Sequence, residues 1–546
     1  MVRLFLFVGL MLLIPLPARS ADAPAGRWRV SFPVETRNGV VTLNLLLMFS
    51  ESDGKWAADF LDSKPPLGMD PAVELTVKDD LVKFTLKFGP NNWSFDGKVP
   101  AGGKRVKGSI DLGGQMILVD LVPTNLKSLT KDEFAVAKEA LDAAETPIEF
   151  FNAVFPVTAQ AAAKKLKVED VRAIADKAAK LAEPYGPRWQ RTVAFRLAEI
   201  LADQEPFVAI AIEQARQGER LLTRTDDIAT QLSTLETIAR VLRKAKKEVE
   251  ATEVEGRVTK LEPRDFAEYA KTHPPFKPEE FKGRKAASDR AVLVELFTGA
   301  ECDPCVAVDL AFDALGRTYK PTDVILLQYH AHNPGPDPLT SVDGTARMDF
   351  YVKEDGKKAT PQIYINGKPD GTGGGPQAKM AKLKYQTYRE AIEPLLEKPA
   401  TAKLAVTAAL KGNDLTVKGT VSDLEKPGQK VSLRFALAEE RIRYQGGNGI
   451  RYHHAVVRAM PGGPKGFPLT KRAAEQTVTL NLNALKGTLN KSLDEFAAEM
   501  KAGGADFSFP IRPMALKNLR VIAYVQNDET NEILQATQVE VEAGKE

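Results

Sequence analysis

The sequence predicts a multidomain protein in which an α/β domain is flanked by all-β and all-α parts. Three changes of pattern along the 546 residues predict this organisation. Strand-like alternation near the N-terminus gives way to a long stretch with helical spacing, then to apolar runs alternating with amphipathic helices, and finally to strands again. With 43% hydrophobic and 27% charged residues, the composition is that of a globular chain. We therefore expect about three to four domains.

The first segment, residues 1–20, is predicted to be a secretory signal peptide. Arg3 provides positive charge, and the apolar run 4–16 is too short to span a bilayer comfortably. Ala18 and Ser20 place small residues at the −3 and −1 positions of a cleavage site. An uncleaved anchor helix is the weaker alternative. We expect a protein exported to the periplasm or the extracellular space, with no membrane span after cleavage.

The charge of the chain gives no support for nucleic-acid binding. The formal net charge is +3, and the two arginines of the signal segment account for two of these charges, which leaves about +1 for the mature chain. No run of basic residues stands out along the sequence. We expect protein partners and no nucleic acid.

The N-terminal half is predicted to consist of a β-domain and a helical domain. Residues 21–126 contain runs such as "RWRVSFPVE" and "LVKFTLKF", separated by turn signals, which predict a small antiparallel barrel or sandwich without a recognisable site. Residues 127–262 have helical spacing and predict antiparallel helix pairs. These helices could dock a partner or act only as a spacer. The Pro-rich, charged residues 263–290 are predicted to be a linker.

Residues 291–398 alternate between strands and helices. "AVLVELF" is a continuous apolar run, as expected of a buried central strand, and "DVILLQYH" and "PQIYINGK" are further strands. The helix after the first strand carries an apolar face made of Val308, Ala311, Phe312, Leu315 and Tyr319. Residues 399–546 return to strand patterns and predict a C-terminal β-sandwich-like domain, interrupted by a helix near "SLDEFAAEM".

Both cysteines of the chain lie in "ECDPC", directly after the first of these strands. A disulfide between Cys302 and Cys305 would close a very small loop and would add little stability, so a redox role is the sharper interpretation. At a helix N-terminus, unpaired N–H groups would stabilise a Cys302 thiolate, which is the attacking species. Cys305 would then resolve the mixed disulfide, and Pro304 suits the first helical turn because no N–H is needed there.

"VLVELFTGAECDPC", followed by "ATPQIYINGK" some fifty residues later, resembles the thioredoxin superfamily, and in particular its exported members. The resemblance covers residues 291–398. It implies that Pro361 is cis and packs against the cysteine pair. It also implies that Thr360 offers backbone groups to a substrate polypeptide, in the manner of an added strand, and that Pro304 lines the same substrate groove.

Two acidic residues depart from the pattern of the family. Glu301 stands before the first cysteine, where the family commonly has tryptophan. Glu295 is displaced by one residue relative to the buried carboxylate of the family. It could transfer protons, or it could be a carboxylate that bonds to the backbone at a strand end. Glu301 and Asp303 disfavour a thiolate at Cys302, so we expect a moderately acidic thiol, typical of a reductase or an isomerase.

Histidines near the predicted second strand raise the question of a metal. His330 and His332 in "QYHAHNPGPDPLT" could join the two cysteinates in a tetrahedral zinc or copper(I) site, although an H-x-H pair in a loop is more often a solvated turn. We assign no metal and no cofactor. His453 and His454 in "RYHHAVV" are assigned to strand and turn structure, and "GTGGGP" is assigned to a flexible turn.

The sequence thus predicts an exported thiol–disulfide oxidoreductase that acts on other exported polypeptides. Cys302, Cys305, Pro361 and Glu295 are the candidate catalytic residues, and Thr360 and Pro304 are the candidate substrate-binding residues. Two alternatives stay open. One is a non-catalytic interaction or scaffold protein with a structural disulfide, and the other is a Cys/His metal-binding protein. The sequence identifies no redox partner.

Overall fold

The computed structural model describes residues 25–36, 39–88, 91–100, 104–355, 358–371, 373–503 and 507–542. The predicted signal peptide lies outside these residues. Within the described part of the chain, no helix is long and apolar enough to cross a membrane. The chain divides into two compact units, Met1–Pro263 and Arg264–Glu546.

The first unit begins with an eight-stranded antiparallel sheet that is nearly closed into a barrel, as the alternation of apolar residues predicts. Its strands are β1 (Gly26–Thr36), β2 (Gly39–Ser52), β3 (Lys55–Lys64), β4 (Ala72–Lys78), β5 (Leu81–Phe88), β6 (Asn91–Lys98), β7 (Val106–Asp111) and β8 (Met116–Thr124). They are hydrogen-bonded in the order β3-β2-β1-β8-β7-β6-β5-β4. Every second residue points inward, so that Val30, Leu45 and Phe84 belong to one buried core.

Helices follow, as the spacing of apolar residues predicts, and the last of them ends six residues beyond Pro263. They are α1 (Glu133–Asp142), α2 (Pro147–Ala159), α3 (Val168–Ala182), α4 (Pro187–Ala202), α5 (Val208–Arg220), α6 (Ile228–Lys244) and α7 (Glu248–Tyr269). Side chains define several helix starts: Thr146 and Glu149 form a capping box on α2, and Asp227 caps α6. The apolar stripes of these helices pack into a single core that includes Val154 and Leu197.

The second unit is built on a nine-stranded mixed sheet. Its strands and helices are β9 (Val292–Thr298), α8 (Val306–Thr318), β10 (Val324–His330), α9 (Val342–Asp355), β11 (Gln362–Ile365), β12 (Lys368–Asp370), α10 (Ala381–Leu396), β13 (Lys403–Lys411), β14 (Asp414–Ser422), β15 (Gly428–Arg443), β16 (Tyr452–Ala459), β17 (Phe467–Leu469), β18 (Ala474–Asn481), α11 (Leu482–Ala502), β19 (Leu519–Asn527) and β20 (Ile533–Glu540). The sheet order is β12-β11-β9-β10-β16-β15-β19-β20, with β17 beside β15. β9 and β10 are parallel, and β11 is antiparallel to β9.

The two faces of β9 are covered by different helices. Val294 and Leu296 share a buried core with Phe312 of α8 and with residues of α10. Leu293 and Phe297, one residue out of step, belong instead to the core that contains residues of α9. Because side chains alternate along a strand, the position of a residue in β9 determines which helix it faces.

The regions predicted as two domains, residues 291–398 and 399–546, share this one sheet. β16 of the second region lies parallel to β10 of the first, paired at Gln328 and Val456. The sandwich-like part is smaller than the sequence predicts: β13, β14 and β18 form a separate three-stranded sheet. Their apolar residues, together with those of α11, pack on β15 and β19. The sequence could not reveal the shared sheet, because β16 pairs with a strand more than a hundred residues away.

Residues 263–290, predicted to be a linker, have more structure than a linker requires. α7 continues through Pro263 to Tyr269. Further along, Phe276 and Phe281 pack against the core beneath α8 and α10. The Glu397 carboxylate accepts hydrogen bonds from the backbone N–H groups of residues 285 and 286. Residues 264–290 of this segment are therefore an ordered part of the second unit.

Candidate functional site

The cysteine pair lies at the carboxyl end of β9. Cys302 and Cys305 form a disulfide with their Cα atoms 5.3 Å apart. The Cys302 N–H donates to the Gly299 carbonyl (3.1 Å), and the Cys305 N–H donates to the Cys302 carbonyl (3.0 Å). These bonds form a tight turn, and a 3-10 turn covers Asp303–Cys305. The sequence predicts Cys302 at the N-terminus of the helix. In the structure α8 begins only at Val306, so Cys302 lies about one turn before it.

Pro361 and Thr360 lie beside this pair. The Thr360–Pro361 peptide bond is cis. The Thr360 hydroxyl donates to the Asn333 carbonyl (2.9 Å) and lies 3.5 Å from the Cys302 Sγ. β11 starts directly after Pro361, and its first residue, Gln362, pairs with Phe297 at the end of β9. The antiparallel pairing thus brings the start of β11 next to the end of β9, where the disulfide lies.

Both sulfur-bearing side chains are buried: Cys302 is 1% exposed and Cys305 is 0% exposed. One covering segment is the glycine-rich stretch that the sequence assigns to a flexible turn. The Gly375 N–H donates to the Pro304 carbonyl (2.6 Å), and the Gly375 carbonyl accepts from the Ala307 N–H (3.0 Å). A Cβ on Gly374 would lie 2.9 Å from Pro361 Cδ and 3.0 Å from Pro304 Cβ. Gly374 is therefore packed between the two prolines of the predicted substrate groove.

A second segment close to the pair, residues 446–448 between β15 and β16, was not predicted from the sequence. The Asn448 N–H donates to the Ala300 carbonyl (3.0 Å), and the Asn448 Nδ2 donates to the Gly299 carbonyl (3.2 Å). The Gly447 N–H donates to the Glu301 carboxylate (3.1 Å). A Cβ on Gly446 would lie 2.4 Å from the Ala300 carbonyl oxygen. The glycines in "QGGNG" are the one sequence signal of this close backbone approach.

Glu295 lies on the opposite face of the sheet from α8. Its carboxylate accepts two hydrogen bonds from Arg347 (2.9 and 2.8 Å) and one each from the hydroxyls of Tyr329 (3.0 Å) and Tyr351 (2.6 Å). Burial would raise the pKa of Glu295, but Arg347 and these hydrogen bonds together hold it below its ordinary value. Glu295 is thus an ionised carboxylate whose partners are side chains on the α9 face of the sheet. The structure does not bring it to the side of the sheet that α8 covers.

Asp309 is a buried carboxyl group of α8. It is the fourth residue after Cys305, which directly precedes α8. Its oxygens accept from the Thr298 hydroxyl (3.1 Å) and from the Gln328 amide (3.0 Å). Burial raises the pKa of Asp309 to about 7, although His330 and the two hydrogen bonds act in the other direction.

Asp309 was missed in the sequence analysis. It lies between apolar residues of an amphipathic helix, next to Val308, and is itself 6% exposed. A carboxyl group on the buried stripe one turn after Cys305 is the signal that could have found it.

The histidines of the H-x-H pair bind protein groups. His330 Nδ1 lies 2.7 Å from Asp337 Oδ2, and the same carboxylate accepts from the N–H groups of Ala300 (2.7 Å) and Leu339 (2.8 Å). The Asp337 N–H donates to His332 Nδ1 (3.0 Å). Asp337 therefore joins this loop to the turn just before Cys302. Burial would raise the pKa of Asp337, but His330 and these bonds hold it below its ordinary value.

The described side chains do not form a metal site. Across the described ranges, no group of three or more His, Cys, Asp or Glu side chains is arranged to hold a metal ion. The ring of His453, which the sequence assigns to strand structure, lies in β16 with its centroid 4.8 Å from that of His330. Burial, together with the neighbouring His330, lowers the pKa of His453 to about 3.

Comparisons with known proteins give little further information. No family model matches the sequence, and no curated protein matches it. One similar solved structure is HBP35 of Porphyromonas gingivalis, with 16% sequence identity and a TM-score of 0.33; the alignment covers 47% of this chain and 77% of that chain. A similarity at this level carries no argument about the fold or the function of the present chain.

Proposed function

We propose that this protein is an exported thiol–disulfide oxidoreductase of the thioredoxin type, which exchanges the Cys302–Cys305 disulfide with thiols of other exported polypeptides. The observation that carries the proposal is the meeting of a C-x-x-C disulfide with Thr360 and the cis Pro361 at one sheet edge. The strand order β12-β11-β9-β10 supports it, because this order brings the start of β11 to the cysteines.

The exchange proceeds in two steps, each of which forms one S–S bond and breaks another. A substrate thiolate attacks Cys302 Sγ, the Cys302–Cys305 bond breaks, and Cys305 leaves as a thiolate that takes a proton. The second substrate thiolate then attacks the substrate sulfur of the mixed disulfide and releases Cys302 as a thiolate, which takes up a proton from solvent. The substrate is oxidised by two electrons and the pair is reduced by two. From the dithiol form, the same steps run in reverse with a substrate disulfide.

Asp309 is suited to handle the proton of Cys305. It is the fourth residue after Cys305, and a pKa of about 7 leaves a large fraction of the carboxyl groups protonated at neutral pH. A protonated Asp309 donates to the leaving Cys305 thiolate, and an ionised Asp309 accepts the proton when Cys305 attacks. Glu295 takes no part in this step, because it is bonded to Arg347 on the other face.

Access to Cys302 requires a movement of the covering residues. A nucleophile must approach Cys302 Sγ along the S–S axis, and a side chain with 1% exposure leaves no path. Residues 446–448 are the covering segment that opens most readily, because they are held to residues 299–301 by three hydrogen bonds and carry no large apolar side chain.

The burial of Cys302 also favours a second candidate function. A disulfide that no thiol reaches is a structural bond, and the protein would then be a non-catalytic interaction protein. The two candidates differ in a measurable property, the exchange of the disulfide with added thiols.

The reduction potential of the pair distinguishes the two candidates. We expect the mature protein, equilibrated with dithiothreitol or glutathione, to show a potential between roughly −270 and −120 mV. It should also oxidise a peptide with two thiols, and Cys302→Ser should abolish this activity. The Cys305→Ser variant, given a peptide that carries a disulfide, should accumulate the mixed disulfide at Cys302, because no second thiol is present to resolve it. A potential below about −300 mV together with no peptide oxidation would refute the enzyme and leave the interaction protein.

Export is tested separately by the mature N-terminus. When the full chain is expressed in a bacterium with two membranes, mass spectrometry of the periplasmic protein should give Ala21 as the first residue. Retention of residues 1–20 in a membrane fraction would identify an anchor instead.

A further inference from the structure

We propose that a cavity of the second unit, lined in part by α8 and β10, binds a small monocarboxylate with an apolar body. The cavity has a volume of about 440 Å³, which lies in the range of small-molecule sites. It is enclosed by the second half of α8, by β10 and by strands of the C-terminal region, with Phe266 at one side. The cysteine pair does not line it, so this site is distinct from the redox site.

Much of the cavity wall is apolar. Leu326, Ala438 and Ile522 are among the residues that line it. Gly316 of α8 contributes no side chain, and a Cβ there would lie 3.3 Å from Leu326 Cδ1. A hydrocarbon chain or a single aromatic ring would bury its surface against these residues.

Three arginines and two carboxylates line the cavity, which leaves one net positive charge. Arg317 is paired with Asp313 (2.6 Å), and Arg520 is paired with Glu440 (3.1 Å). Arg441, by contrast, forms no ion pair within the described residues. Its guanidinium group lies 3.8 Å from the centre of the Phe266 ring, and its Nε is buried without a hydrogen-bond partner.

A second donor lies at the same cavity. His454 Nε2 is 3.4 Å from Asp313 Oδ1 and is buried without a hydrogen-bond partner. Burial is the main cause that lowers the pKa of His454, which keeps the ring neutral and able to donate one hydrogen bond.

These groups together indicate the class of ligand. A buried Arg441 Nε and a neutral His454 ring are unused donors, and a carboxylate satisfies both. Because three arginines and two acids, Asp313 and Glu440, leave the cavity with one net positive charge, it selects a single negative charge over two.

The test compares carboxylates with neutral molecules of the same shape. Butyrate and benzoate, with butyramide and benzamide as the neutral counterparts, are titrated into the full mature protein by calorimetry. We expect the carboxylates to bind at least about tenfold more tightly than the amides. Arg441→Gln should weaken benzoate binding by about tenfold or more, and Arg441→Lys should weaken it less. Arg389→Gln, which removes a paired arginine of α10 outside the cavity, is the matched control.

A second variant keeps the test decisive if Arg441→Gln does not fold. Leu326→Phe fills the apolar end of the cavity and retains Arg441, so it should reduce benzoate binding more than butyrate binding. Thermal unfolding confirms that each variant is folded. The proposal is overturned if the amides bind as tightly as the acids, if Arg441→Gln binds benzoate like the native chain, or if no carboxylate binds at millimolar concentration.

Discussion

Asp309→Asn should make the oxidised protein less sensitive to alkaline pH. The folded-state pKa of Asp309 is about 7, whereas an aspartate in an unfolded chain has a pKa of about 3.8. Because the folded pKa is raised, the stability from this group is fully present below the unfolded pKa and is lost as the pH rises through the folded pKa. The full loss is about 4 kcal/mol, of which about 2 to 3 kcal/mol falls between about pH 5 and pH 8.

The substitution is well matched to the site. Asparagine can accept from Gln328 through Oδ1 and donate to the Thr298 hydroxyl through Nδ2, since a hydroxyl can accept as well as donate. The variant therefore keeps both hydrogen bonds and removes only the ionisation. With the disulfide closed, neither cysteine titrates, so the measurement isolates the carboxyl group.

The assay is denaturant unfolding of both proteins at pH 5 and pH 8 without a reductant. The difference in free energy of unfolding, variant minus native, should increase by about 2 to 3 kcal/mol from pH 5 to pH 8. Titrating groups that do not interact with Asp309 cancel in this difference. Asp303→Asn, at an exposed acid beside the cysteines, should give no such increase and is the control. Parallel curves for the native protein and Asp309→Asn would refute the raised pKa and, with it, the proton-transfer role.

Three further substitutions test the surroundings of the pair. Gly374→Ala places a methyl group against two prolines and should reduce the free energy of unfolding by about 1–3 kcal/mol, whereas Gly371→Ala, where nothing lies within 4 Å, should change it little; equal losses would exclude the packing argument. Asn448→Ala removes the side-chain bond to residue 299 and should speed reduction by dithiothreitol about fivefold, and an unchanged rate would mean that this segment does not control access. Glu295→Gln leaves Arg347 buried without its counter-ion and should cost about 3–5 kcal/mol of stability with little change in reduction potential; a large shift in potential would restore a redox role for Glu295.

The strands and helices around the site were predictable because each follows a local pattern. The apolar runs predicted β9, β10 and β11, and the spacing of Val308 and Phe312 predicted the face by which α8 packs on the sheet. The position of the cysteine pair after β9 followed from the same runs. These features depend on neighbours in the sequence, which is why one sequence suffices for them.

The choice of carboxyl group was not predictable in the same way. All seven residues of β9 are buried, so the strand shows no polar alternation that would tell which face Glu295 occupies. Arg347, its ion partner, lies 52 residues further along the chain. A shift of one position along a strand moves a side chain to the other face, and here it separates an ion pair of the α9 face from the cysteine side of the sheet.

Segment 446–448 is a second feature that could not be predicted from the sequence. Most of its bonds to residues 299–301 come from backbone groups, which any sequence possesses, and the partners are about 150 residues apart. Only the glycines and Asn448 mark the approach. The shared sheet that positions this segment, through β15 and β16 beside β10, likewise depends on pairing between distant strands.

Burial of the pair therefore separates two properties that a single activity assay would combine. The reduction potential depends on the relative stability of the dithiol and disulfide forms, to which Asp309 contributes through its proton. The rate of exchange depends on how often residues 446–448 leave residues 299–301. If Asn448→Ala increases the rate at an unchanged potential, the segment acts as a gate on a working redox pair. If the rate stays near zero in that variant while the potential lies below about −300 mV, burial and bonding act together, and the disulfide is structural.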